Sequence, residues 1–139
     1  MSVLAYPTGA PIRDAGQIAL LSRLRTLLHL SLSWRAEVPL PVEGDLRAWD
    51  AAIGAASWTV YVDAETRIRD AQALERQLAI KQRDTGTDRV VLLLADTRSN
   101  RLILRSLGSP IVSPSIPGRV IVEALRVGRD PGGSGVVLL

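Results

Sequence analysis

Four residues of the chain could do chemistry together: Asp50, Asp63, Glu65 and Lys81. Asp63 and Glu65 are two apart in WTVYVDAET, which alternates as a strand, so both point to one face, about 7 Å apart along it. If Gly54 to Ser57 is a four-residue hairpin turn, Ile53 pairs with Trp58 and Asp50 with Tyr61. Asp50 then shares the face of Thr59, Tyr61, Asp63 and Glu65, diagonal to Asp63, and a slip of one residue would remove it. Three acids on a half-buried sheet face need a positive compensator. One is Mg²⁺, which takes carboxylate, water and phosphate oxygens; Asp50, Asp63 and Glu65 would be its ligands. The other is Lys81, on the helix after the acid strand and one turn beyond Gln77. A metal-activated water beside an ammonium, facing a phosphodiester, is a set for metal-assisted hydrolysis, with Lys81 positioning the water or helping to deprotonate it. The plainer reading is a solvated face, with Asp63 or Glu65 paired to Arg47, Arg67 or Arg69 and Lys81 in solvent.

Those residues need elements to hold them. Asp14 can cap a helix over about 15–30 with an apolar stripe of Ile18, Leu21, Leu24 and Leu28. Residues 34–40 alternate as a strand, with Trp34, Ala36, Val38 and Leu40 on one face and Pro39 marking a sheet edge. Glu37, on its other face, is a further candidate ligand beside a simpler pairing with Arg35 or Arg47. Strands follow over 46–53 and 58–66, with Val60, Val62 and Ala64 turned away from the acids. Asp70 caps a helix over about 71–84, with Leu74, Leu78, Ala71 and Lys81 along one side. Residues 89–96 (RVVLLLAD) read as a strand buried on both faces. Ser99 is expected to cap a helix to about Leu107, Pro117 to open a last helix ended by Gly128, and Val136 to Leu139 to close as a strand. The order α-β-β-β-α-β-α-α-β implies one α/β domain, a mixed sheet flanked by helices, with a parallel crossover from the third strand to the fourth. The domain spans 14–139, and the Pro- and Gly-containing residues 1–13 read as a flexible arm.

Composition narrows the chemistry. The absence of Cys excludes disulfides and thiolate metal sites, and a single His, His29, excludes multi-histidine centres. Of the 17 basic residues sixteen are arginine and one, Lys81, is lysine; the net charge of +3 is compatible with a nucleic-acid partner without requiring one. The longest apolar run, Val90 to Ala95, is far short of the ~20 residues of a membrane span, and the N-terminus lacks a secretory pattern, so a cytoplasmic protein without membrane contact is expected. The turn Asp130-Pro-Gly-Gly-Ser-Gly135 lacks the spacing of a phosphate loop.

The succession RAWDAAI, TVYVDAET, ALERQLAIKQRDTG and DRVVLLLADTRSNR resembles the PD-(D/E)xK, or restriction-endonuclease-like, nuclease superfamily. More narrowly, residues 15–107 look like a domain that in actinobacterial proteins often follows a helix-turn-helix segment, in chains labelled transcriptional regulators. The resemblance implies an αβββαβ core in which an acid on the second strand and another on the third bind Mg²⁺ and a lysine completes the site. Asp50 matches the first acid, although Trp49 precedes it where the motif has Pro. Asp63-Ala64-Glu65 occupies the tripeptide, with Glu65 where the lysine would stand; Lys81 would then be a lysine moved to the following helix. If Glu65 is instead the motif acid, Arg67 takes the lysine position and is a poor base.

Two functions follow from this. The first is a metal-dependent endonuclease or nuclease-like domain acting on or with DNA, with Asp50, Glu65 and Lys81 catalytic. The second is a catalytically inactive interaction or effector module of a transcriptional regulator, or of a defence or toxin–antitoxin system. A helix-turn-helix partner segment or chain and a homodimer belong with either.

Overall fold

The computed structural model describes residues 13–112 and 115–139; of the arm expected over residues 1–13, all but Arg13 lies outside them. The element order is the one expected: α1 (Ala15–Leu27), β1 (Ser33–Pro39), β2 (Ala48–Gly54), β3 (Thr59–Glu65), α2 (Ala71–Thr85), β4 (Val90–Leu94), α3 (Arg98–Ser106), α4 (Gly118–Arg126) and β5 (Gly135–Leu138). The five strands form one mixed sheet in sequence order, antiparallel through β1, β2 and β3 and parallel through β3, β4 and β5. Pro39 is on an edge strand, as its missing N–H requires.

All five residues of β4 are buried, because apolar layers cover the sheet on both sides. On one side Ala51, Ile53, Val60, Val62, Ala64, Val91 and Leu93 meet Leu20, Leu21 and Leu24 of α1 and Ile121 and Leu125 of α4. On the other, Trp49, Ala52, Val90, Leu92 and Leu94 meet Leu78 of α2, with Ile103 and Leu104 of α3 at its margin. The α1 stripe differs from the expected one. Leu20 is buried and Ile18 is exposed, because the first turn of α1 is aimed at the end of β3 instead of the middle of the sheet.

Three local departures bear on the site. The hairpin between β2 and β3 is tighter than expected: Ala55 N–H bonds to Trp58 O, leaving a two-residue loop, so Ile53 pairs with Val60 and Gly54 with Thr59. The ladder is thus two residues off the expected register. Two is the period of the pleat, so the acids keep their common face, and Asp50 falls opposite Asp63 instead of diagonal to it. In β1, Glu37 adopts φ 53°, the one positive value outside glycine among the described residues. The faces change there: Trp34 packs on the α1/α4 layer and Val38 and Leu40 on the α2/α3 layer, instead of all on one face. In β2, likewise, Ala51 and Trp49 pack on opposite layers, so the ribbon rotates at Glu37 and Asp50. Finally, α3 is capped by Thr97, whose side chain accepts from Asn100 N, and not by Ser99.

Asn100 is fully buried and fastens the loop that leaves the acid strand. Its Oδ1 accepts from Ile68 N at 3.0 Å, and its Nδ2 donates to Thr66 O and Ala95 O at 3.0 and 2.9 Å. Removing the amide leaves Ile68 N and Thr66 O without partners in the interior, while Ala95 O keeps Thr97 N. Asn100→Ala should therefore lower unfolding free energy by about 3 kcal/mol in urea denaturation. A loss below about 1 kcal/mol would mean that the loop does not depend on this amide.

Candidate active site

The acids stand where the β2–β3 ladder stops. The last paired residues are Ala51 and Val62; beyond them side chains replace the backbone bonds. Asp50 N–H donates to Asp63 Oδ1 at 3.1 Å, and Ala64 N–H donates to Asp50 Oδ2 at 2.8 Å. Each aspartate therefore satisfies an amide exposed by the parting strands, and both carboxylates are held in the opening.

Helix α2 supplies the cation. Asp70 caps it by accepting from Ala73 N, and Gly86, at φ 72°, ends it in a conformation that an L side chain resists. Arg47 bridges Asp45 and Asp84, which ties the far end of α2 to the β1–β2 connection. Leu78 is buried beneath the helix, and Lys81, less than a turn on, lies inside instead of in solvent. Its Nζ donates to Asp63 Oδ2 at 2.6 Å and to Ala48 O at 2.8 Å, and lies 4.3 Å from the centre of the Trp49 ring. Trp49 is held in turn by Thr85 Oγ1, 2.9 Å from its Nε1, and by Tyr61 at 5.5 Å between ring centres.

Helix α1 closes the third side. Asp14 and Gln17 form a capping box, and Gln17 Nε2 donates to Ala64 O at 2.9 Å. Gly16 fits closely over the end of β3; a Cβ there would lie 2.6 Å from Thr66 Cγ2. Between these elements is a cleft of about 350 Å³ whose walls include Gln17, Arg47, Asp50, Asp63, Glu65, Gln77 and Lys81. The four residues singled out from sequence thus line one cavity, with Gln77 beside them.

Arg13 escaped the sequence reading, which assigned it to the arm. Its Nε lies 2.7 Å from Asp50 Oδ1 and its NH1 2.6 Å from Glu37 Oε1. Glu37 accordingly pairs with Arg13 and not with Arg35 or Arg47. A basic residue just ahead of a helix cap carries no pattern that would point it at a strand some 37 positions away.

The charges are unevenly compensated. Asp63 has Lys81 and Asp50 has Arg13, whereas among the described residues no hydrogen-bond donor or salt-bridge partner meets Glu65. Burial, and then the charges of Asp50 and Asp63, hold the Glu65 carboxyl above its ordinary range, and Arg69 draws it back in part. Burial pushes Asp63 up to about 6 even though Lys81 pulls it down. Among the described residues no three acidic or histidine side chains converge closely enough to grip a metal ion as they stand. The donor set is nonetheless all oxygen, as Mg²⁺ prefers, and Mg²⁺ is commonly held by only one or two carboxylates with the remaining positions left to water and phosphate. Asp50 and Glu65 on one cavity meet that lesser requirement.

The chain matches no protein-family model, and no curated protein or solved structure matches it either. Among the described residues no helix is long and apolar enough to cross a membrane.

The raised Asp63 value has a definite sign. The folded chain holds this proton more tightly than the unfolded chain does, so the stabilisation is complete below the unfolded value near 3.8 and is lost as pH rises through about 6. Glu65 acts in the same direction. With divalent cations chelated, unfolding free energy should rise by about 1 kcal/mol from pH 7.5 to 5.5, and Asp63→Asn should flatten most of that slope. A wild-type stability that falls over this interval would contradict the assignment.

Proposed function

We propose that the domain is a nuclease-like, divalent-cation-dependent phosphodiesterase acting on DNA, of the PD-(D/E)xK kind with its lysine moved to the helix. The observation that carries this reading is the single cleft lined by Asp50, Asp63, Glu65 and Lys81. Asp50 and Glu65 would hold Mg²⁺, with Asp63 beside them. The cation, when bound, would stabilise charge developing on a phosphoryl group and lower the pKa of a water. Asp63 fixes the Lys81 ammonium, and the backbone carbonyl of Ala48 and the Trp49 face fix its direction. Lysine has three donors, and two are engaged; the third, without a hydrogen-bond acceptor among the described residues, would orient a phosphate oxygen or the attacking water. Gln77, on the cleft wall, offers a neutral hydrogen-bonding group that can approach a phosphodiester without adding charge. Water's oxygen would bond to phosphorus as the bond to the departing sugar oxygen breaks; the attacking water's proton passes to solvent, and the departing oxygen takes one up from it.

The second reading, a catalytically silent interaction or effector module, is favoured by one observation: both buried aspartates already have resident cations in Lys81 and Arg13. The two readings part on plasmid DNA. Purified protein with Mg²⁺ or Mn²⁺ should nick supercoiled plasmid; EDTA should stop it, and Asp50→Asn or Glu65→Gln should slow it at least ~100-fold. Lys81→Arg should also slow it while the exposed Asp88→Asn leaves it unchanged. Wild type that leaves plasmid intact with both cations favours the silent module and overturns the nuclease.

A further inference from the structure

We propose that Arg13 is the resident counter-ion that sets how readily the acid cleft takes a divalent cation. It is a positioning residue, acting through Asp50, and the inference rests on the cation-binding reading of the cleft.

The Asp50 side chain is only 9% exposed, and its Oδ2 is engaged by Ala64 N–H, so Oδ1 needs positive charge from elsewhere. Arg13 supplies it, but imperfectly. Its Nε stands 2.7 Å from Oδ1, yet the buried N–H is not directed along that line and has no aligned acceptor. The attraction is therefore mainly between charges, without the directed bonds that make a guanidinium–carboxylate pair strong. A metal ion brings charge without directional N–H groups and competes directly for such a carboxylate oxygen. Lys81 contrasts with it, since one directed hydrogen bond joins it to Asp63, and a second to Ala48 O and the Trp49 face hold it in place.

Arg13 also has somewhere to go. Its NH1 rests on Glu37, which is 71% exposed, on the β1 side of Asp50, and Arg13 is not among the residues lining the cleft. Glu37 occupies a left-handed backbone conformation in mid-strand, a strained arrangement that persists only where its surroundings enforce it. When Asp50 turns toward a cation, the guanidinium can stay on Glu37 instead of losing both partners. The capping box of α1 and the close fit of Gly16 over Thr66 keep Arg13 within reach of both acids.

The test is calorimetric titration of Mn²⁺ into DNA-free protein, with thermal unfolding alongside. Arg13→Gln should bind Mn²⁺ about tenfold more tightly than wild type. It should melt lower without cation and be raised further by it, and Arg13→Lys should return affinity toward wild type. Glu37→Gln, a near-isosteric change at an exposed side chain, should shift affinity the opposite way by removing the guanidinium's second resting place. That variant keeps the test intact should Arg13→Gln fail to fold. Lower stability in Arg13→Gln with unchanged or weaker Mn²⁺ binding would overturn the inference. If Asp50→Asn abolishes binding while Arg13→Gln equals wild type, only the role of Arg13 falls. If no variant, wild type included, binds Mn²⁺, the cation reading of the cleft falls and this inference with it.

Discussion

Two strands that part need their freed amides satisfied, and in this fold two aspartates do it. Asp63 accepts from the Asp50 amide and Asp50 from the Ala64 amide, where ladder bonds would otherwise run. An unsatisfied buried amide costs about 1–3 kcal/mol, so the exchange secures the opening, but it places two carboxylates in the interior. Carboxylates there need cations. The positions of α1 and α2 follow: α2 brings Lys81 onto Asp63, and the start of α1 brings Arg13 onto Asp50. Cleft, charge pattern and helix placement are consequences of one interruption in one ladder.

Much of this was legible in the sequence, for identifiable reasons. The continuous apolar run of β4 required cover on both faces, which fixed the helices on both sides of the sheet. The period-two pattern of β3 assigned Val60, Val62 and Ala64 to one side and the acids to the other, and Lys81 drew attention as the one lysine among sixteen arginines. The register was not legible. Ala55-Ala56-Ser57 carries no strong turn signal, and the loop is two residues instead of four. The error was a full pleat period, so it changed which residue Asp50 faces without changing its face. Glu37 was harder still, because a left-handed glutamate in mid-strand follows no local preference and reverses which residues of β1 share a face. Arg13 was invisible because its role depends on tertiary docking of α1, through Gln17 and Gly16, and not on its neighbours in sequence.

The same electrostatics connect the two functional readings. A cleft whose aspartates are neutralised by side chains resembles a site that has exchanged its metal for internal salt bridges; a cleft whose glutamate meets no partner among the described residues still has charge to offer. On the proposed reading, hydrolysis of DNA would require a divalent ion to compete with these cations, and the silent module would follow where they prevail. Lys81 has a directed hydrogen bond to its aspartate, whereas Arg13 meets Asp50 mainly through charge, its directed bonds going to Glu37 and the Trp49 carbonyl.

The central claim, that the acid cleft is a cation site, can be tested most directly by paramagnetic broadening in the two-dimensional amide spectrum. Substoichiometric Mn²⁺ should first erase the resonances of Asp50, Ala64 and Glu65 and those beside them, leaving the remote salt bridges at Asp96 and Asp130 untouched. Broadening that begins at those surface acids, or that spreads evenly over the chain, would contradict it.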